Sequence, residues 1–331
     1  MKTDDFLLTV KDLRTHFYTY EGVVQALDGV SFNLGVGEAL GLVGETGCGK
    51  SLTASSIMRL VEEPGRIISG EIWFEGQDLL QLKESQMRNI RGNRIAMVFQ
   101  DPSTYLNPSF TIGNQIGEVI RLHQGLRGKH LRQRILETLD MVRMPDPARV
   151  VNQYPHQLSG GMRQRCLIAT AVACNPLLLI ADEPTTALDV TVQAAILELL
   201  SDLRRETQGA LLLITHNLGV VAEICDRVAV MYSGDIVEIA PTIEIFGQPQ
   251  HPYTRALLES VPKLHQDPAE DLATISGRLP NLINPPEGCR FHPRCSLAND
   301  TCRCEKPSVR EAGPGHFVAC HPVYRQWGGP A

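Results

Sequence analysis

Apolar residues in this chain fall into short runs, separated by longer stretches where they recur at helical spacing. Near the start, Leu7-Leu8-Thr9-Val10, Val30-Ser31-Phe32-Asn33-Leu34 and Ala39-Leu40-Gly41-Leu42-Val43 read as short strands. Later runs at 177–180, 211–214 and 228–231 are continuously apolar, the pattern of strands buried on both faces of a mainly parallel sheet. Between them, 162–173 and 192–205 have helical character. Strands alternating with helices predict an α/β layer architecture. From about 100 to 175 strand signals are few and Arg, Gln and Leu are frequent, which predicts a helical insertion. Beyond about 245, nine prolines between Pro249 and Pro307 break any long element, so the tail is not a further strand–helix unit.

Composition narrows the class. The 331 residues suggest about two domains, and 43 % hydrophobic with 21 % charged residues excludes a disordered, collagen-like or coiled-coil chain. Lys and Arg number 31 against 37 Asp and Glu, a net charge of −6, so no global basic field points to nucleic acid. The longest apolar stretches, such as Leu211-Leu212-Leu213-Ile214, fall far below the roughly 18 residues a bilayer span needs. Met1-Lys2-Thr3-Asp4-Asp5 carries acids where a signal peptide carries bases, so a cytosolic chain is expected unless a partner holds it at a membrane. Cys48, Cys166, Cys174 and Cys225 are scattered, whereas Cys289, Cys295, Cys302, Cys304 and Cys320 crowd the tail. In a cytosolic chain that clustering favours a metal site over disulfides.

The sharpest chemical signal is Gly44-Glu45-Thr46-Gly47-Cys48-Gly49-Lys50-Ser51, which fits G-x-x-x-x-G-K-[ST] between an apolar strand and a helix. Glycines let the backbone wrap a polyphosphate with its N–H groups inward, and the following helix adds its positive end. Lys50 is then placed to reach the β- and γ-phosphates, and Ser51 to coordinate Mg²⁺. Cys48 lies beside Lys50 and a helix N-terminus, both of which lower a thiol pKa; a small residue that simply fits is the plainer reading. A second apolar strand ends in Asp182 and Glu183. Asp182 is suited to the metal's water shell, and Glu183, one residue on, turns towards an attacking water.

Further motifs follow: Gln100 after Met97-Val98-Phe99, Leu158-Ser159-Gly160-Gly161-Met162, Ala187-Leu188-Asp189, and His216 after Leu213-Ile214-Thr215. Over roughly residues 7–245 these resemble, in order, the Q-loop, LSGGQ signature, D-loop and switch histidine of ATP-binding-cassette (ABC) proteins, with Met162 closing the signature. Gln100-Asp101-Pro102, Leu106-Asn107-Pro108, Tyr154-Pro155-His156-Gln157, the run ADEPTTALDV at 181–190 and His251-Pro252-Tyr253-Thr254 look like the ATPase subunits of dipeptide/oligopeptide importers. Gly288-Cys289-Arg290-Phe291-His292-Pro293-Arg294-Cys295 resembles their extra C-terminal domain, and nickel importers share the pattern.

The resemblance implies a P-loop NTPase cassette in residues 1–245, with a RecA-like core and a helical subdomain at about 100–175, then a small Cys-rich domain in 246–331. It implies Mg²⁺-dependent hydrolysis of ATP to ADP and phosphate. Gly44 to Ser51, Asp182 and Gln100 hold nucleotide and Mg²⁺, Glu183 serves as general base or water orienter, His216 holds the γ-phosphate and Glu183 in register, and Gln100 relays nucleotide state. Ser159, Gly160 and Gly161 close over the γ-phosphate on another cassette, so two cassettes sandwich two nucleotides. The implied partners are two transmembrane permease subunits, a second related ATPase and an extracytoplasmic binding protein. No nucleic acid is among them, and the place of work is the cytoplasmic face of the membrane. A nickel or other small-solute importer is the runner-up. A soluble ABC ATPase of DNA repair or translation usually has two cassettes or a long coiled coil, and a GTPase is opposed by the missing N-K-x-D motif.

The family stacks an aromatic on adenine. Phe17, Tyr18 and Tyr20 are candidates, and spacing to Ala26-Leu27 favours Phe17. Asn217 stands where these ATPases commonly carry Asp. Arg121, Arg127, Lys129, His130, Arg132 and Arg134 form a basic run, read first as a solvated helix face. By resemblance, Cys289, Cys295, Cys302 and Cys320 are ligands of a [4Fe-4S] cluster. Spacing alone leaves open a zinc site drawing on His292, His316 or His321, and Cys304 in place of Cys302.

Overall fold

A computed structural model describes residues 6–186, 188–261 and 275–326 of the chain. Its strands are β1 (Leu8–Thr19), β2 (Gly22–Leu34), β3 (Ala39–Val43), β4 (Gly65–Phe74), β5 (Gln77–Asp78), β6 (Ile95–Val98), β7 (Leu178–Asp182), β8 (Ala210–Ile214), β9 (Arg227–Tyr232), β10 (Asp235–Pro241), β11 (Arg310–Gly313) and β12 (His316–Val318). They form two sheets. The larger has the order β11-β12-β10-β9-β3-β8-β7-β6. Its β9-β3-β8-β7-β6 part is parallel, and β10, β12 and β11 extend one edge antiparallel. The smaller sheet, β2-β1-β4-β5, is antiparallel.

β3, β7 and β8 are buried over their whole length. Successive side chains of a strand point to opposite faces. Val43, Leu211, Leu213, Val228 and Val230 therefore pack into one core, and Leu40, Leu42, Leu212, Ile214, Ala229 and Met231 into another. The first core is closed by Ile116 and Ile120 of the helix Ile112–Gln124, Ile168 of the helix Gly160–Val172, and Ile196 and Leu199 of the helix Val190–Thr207. The second is closed by the small sheet through Leu8, Leu13, Leu27 and Ile72, and by Ala54 and Ile57 of the helix Lys50–Ile57. A sheet covered on both faces is what makes those runs continuously apolar. No strand lies between the end of β6 and the start of β7; helices fill that interval, as the insertion predicts.

The N-terminal strands differ from their sequence reading. β1 and β2 run 12 and 13 residues, well past the short apolar segments that mark them. One face is solvated, and a register shift between Val10 and Leu13 breaks the alternation, so only part of each strand looks apolar. The basic run lies on the helices Ile112–Gln124 and Gly128–Met141 and, with Arg127, at the cap of the second; it is exposed except at Arg134, which donates to the carbonyl of Ala173 at 3.0 Å. That matches a solvated face.

The tail is sewn into the large sheet: Glu238 and Ile239 of β10 stand opposite Val318 and Phe317 of β12. Glu238 is fully enclosed, and accepts from the N–H groups of Gln250 (2.7 Å) and His251 (2.9 Å) and from His316 Nε2 (2.7 Å). Burial pushes its carboxyl up, but these bonds outweigh it and leave the group below the usual carboxylate range. Among the described residues no helix is long and apolar enough to cross a membrane.

Candidate nucleotide site

β3 delivers the chain directly into the loop Gly44 to Gly49. A Cβ at Gly44 (φ +151°) would stand 2.1 Å from the carbonyl oxygen of Met231, so only glycine fits there. The helix Lys50–Ile57 opens with no side-chain cap, leaving its first N–H groups free for an anion. Lys50 is buried, and its ammonium donates to the carbonyls of Gly44 at 2.8 Å and Glu45 at 3.0 Å. Cys48 is enclosed in the loop; burial pushes its thiol up against the pull of Lys50, which makes it a space-filling residue and not a reactive one.

β7 lies next to β8 and brings its two acids to the same end. Ser51 Oγ donates to Asp182 Oδ1 at 3.0 Å, which joins the phosphate loop to the acidic strand end. Asp182 is buried and its carboxyl is pushed up by that burial; a divalent cation bound there would supply the missing counter-charge. Glu183 is kinked away, with φ +45° and its N–H on the carbonyl of Ile214 at 2.8 Å. Its carboxylate is then held from three sides. Gln100 Nε2 and Thr186 Oγ1 each donate to Oε2 at 3.0 Å, and His216 Nδ1 lies 3.2 Å from Oε1. Gln100, Glu183 and His216, far apart in sequence, thus meet in one cluster beside Ser51 and Asp182. Thr186 was not singled out from the sequence; its signal was its place three residues after Glu183.

The family model described as ABC transporter matches residues 27–186, and that for the oligopeptide/dipeptide transporter C-terminal region matches residues 237–302. A probable peptide ABC transporter ATP-binding protein of Sinorhizobium fredii is 52 % identical over 96 % of this chain and 95 % of its own. The dipeptide transport ATP-binding protein DppD of Bacillus subtilis is 50 % identical over 95 % of this chain and 94 % of its own. The chain belongs to the ATP-binding subunits of ABC transporters. Its activity is that of an ABC ATPase. The solved dimer of the ATP-binding cassette MJ0796 bound to ADP and Pi is 29 % identical, with a TM-score of 0.64, over 71 % of this chain and 98 % of that one.

In this ABC cassette the signature opens a helix of its own. Ser159 caps the helix Gly160–Val172, its Oγ accepting from Met162 N–H at 3.4 Å. Gly160 and Gly161 lie against Leu188 and Val192. The D-loop expectation is described at Leu188 and Asp189, with Ala187 outside the described residues; Asp189 caps the helix Val190–Thr207. Asn217 caps the helix Leu218–Ile224, accepting from Gly219 N–H at 3.0 Å, a role Asn fills as well as Asp. Phe17 is half-buried against Gly65, Tyr18 lies under Arg66, and Tyr20 stands fully in solvent at the hairpin turn.

The tail cysteines are only partly gathered. Burial pushes Cys289 up to about 11 and Cys320 up to about 12, and the thiols of Cys289, Cys295 and Cys302 also act on Cys320, so the four share one neighbourhood. Cys304 is exposed. Yet among the described residues no group of three or more Cys, His, Asp or Glu stands close enough to hold a metal ion, so the expected cluster geometry is not formed. The histidines of the zinc alternative are engaged elsewhere: His292 with the carbonyl of Cys289, His316 with Glu238, His321 with the carbonyl of Glu305.

Proposed function

We propose that this chain is the ATP-hydrolysing subunit of an importer for di- or oligopeptides. The observation that carries the reading is about 50 % identity, over both the cassette and the tail, with relatives named for dipeptide and oligopeptide transport. In this reading residues 1–245 bind and hydrolyse ATP and residues 246–331 are the transporter-specific tail. Lys50 and the loop N–H groups bind the phosphates, while Ser51, Asp182 and Gln100 hold Mg²⁺ and its water. Glu183 takes the proton of the attacking water and His216 keeps base and γ-phosphate in register. Ser159, Gly160 and Gly161, the two glycines packed on Leu188 and Val192, complete the site of a second cassette. That cassette is a related but different ATPase, and both sit at the cytoplasmic face under two permease subunits fed by a binding protein.

Purification of the tagged chain from native membranes tests this. Two permease subunits and a second ATPase are expected, with ATP turnover raised by peptide-loaded binding protein. Two copies of this chain without another ATPase would overturn the heterodimer, and stimulation by nickel but not by peptides would overturn the cargo.

The shared neighbourhood of Cys289, Cys295, Cys302 and Cys320 supports a second reading, a [4Fe-4S] centre that closes on loading. A segment this rich in proline gains stability from a metal cross-link, and four thiolates suit iron and sulfide. Anaerobically purified protein is expected to be brown, with about four irons and four sulfides per chain. Colourless protein with one zinc and no iron would overturn this reading.

A further inference from the structure

Two residues of the C-terminal part, Tyr253 and Arg294, reach the phosphate loop at Glu45. Arg294 Nη1 donates to Glu45 Oε2 at 2.7 Å and its Nη2 to Oε1 at 3.0 Å, a two-pronged pairing across 249 positions of sequence. The Arg294 side chain is 4 % exposed, and its remaining donors are satisfied by the carbonyls of Ser276 (2.8 Å) and Ile275 (3.1 Å) and by Tyr232 Oη (3.4 Å). Glu45 is fixed at its backbone too. Its N–H donates to Tyr253 Oη at 2.9 Å, and its carbonyl accepts from Lys50 Nζ and from Cys48 N–H. Tyr253 and Phe291 pack edge-on against Tyr232 behind these bonds and tilted against each other, with ring centroids 4.7 to 5.4 Å apart.

A carboxylate inside a loop that binds polyphosphate is a liability, because like charges repel at short range. A buried guanidinium bonded to both of its oxygens cancels that charge and fixes the backbone that carries Lys50. We propose that Arg294 is a positioning residue for nucleotide binding: from the tail it neutralises and fixes Glu45, so that the phosphate loop is electrically and sterically ready for its ligand. The proposal rests on the assignment of Gly44 to Ser51 as the nucleotide cradle.

Titration of the purified full-length chain with Mg-ADP, followed by calorimetry, tests it. Arg294→Ala is expected to weaken ADP binding about 10-fold, more at low salt where the exposed Glu45 charge is less screened. Adding Glu45→Gln to Arg294→Ala removes the unpaired charge, and affinity should return to within about 3-fold of the unmodified chain. In the assembled transporter Arg294→Ala should raise KM for ATP far more than it lowers kcat. A merely structural contact predicts the opposite, a double variant no better than Arg294→Ala. Either that result or unchanged affinity in Arg294→Ala overturns the proposal. If Arg294→Ala does not fold, Arg294→Gln, which keeps an uncharged polar side chain and part of the volume, decides in its place by the same criteria. Lys50→Ala run in parallel keeps the two readings apart: unchanged ADP binding there overturns the cradle itself.

Discussion

Glu183→Gln is expected to reduce ATP turnover by the assembled transporter about 10²- to 10⁴-fold, the usual span for loss of a positioned general base. The substitution preserves shape. The amide oxygen can still accept from Gln100 Nε2 and Thr186 Oγ1, and the amide nitrogen can face His216 Nδ1, so the cluster around residue 183 should persist. What disappears is the ability to take a proton from water. Nucleotide then enters, the cassettes close, and the product-forming step stalls. Phosphate release measures the rate, and the stalled state is seen as ATP retained on a cassette pair through gel filtration. Turnover at the unmodified rate would remove Glu183 from the chemistry.

Lys50→Ala acts one step earlier. The ammonium rests on the carbonyls of Gly44 and Glu45, two neutral acceptors. A β-phosphate offers charged oxygens in their place. Charge-assisted hydrogen bonds contribute about 1.5–3 kcal/mol each, so losing two of them should weaken ADP binding by about 10²- to 10⁴-fold. Calorimetric titration with Mg-ADP reads this directly. A loss below about 3-fold would mean that Lys50 does not face the phosphates.

These two residues were legible because their chemistry is local in sequence. A strand, a glycine loop and a helix start occur within a dozen positions, and the acids follow their own apolar strand. The central sheet was legible for a related reason, since strands such as β3 and β8 are covered on both faces and announce themselves as apolar runs. The hairpin of β1 and β2 was only half visible, because a solvated face and a bulge erase the alternation that pattern reading depends on. Least visible was the reach of the tail. Arg294 and Tyr253 lie in stretches whose resemblance to a transporter tail is plain, yet nothing in their spacing says that they meet Glu45. Such contacts depend on how the chain returns across the sheet. Asn217 shows the reverse case: it stands where Asp is common in the family, and it is a helix cap that either residue can make.

The seam between β10 and β12 also imposes an order on synthesis. β10 is buried along nearly all its length in the finished protein, but the strand that covers its edge away from β9 is made 75 residues later, from Pro241 to His316. At about 5–20 residues per second, the nascent cassette carries an unpaired, apolar strand edge for roughly 4 to 15 s. During that interval the chain is open to edge-to-edge association with its neighbours on the same polysome. A strand made late is thus the one that covers an edge made earlier.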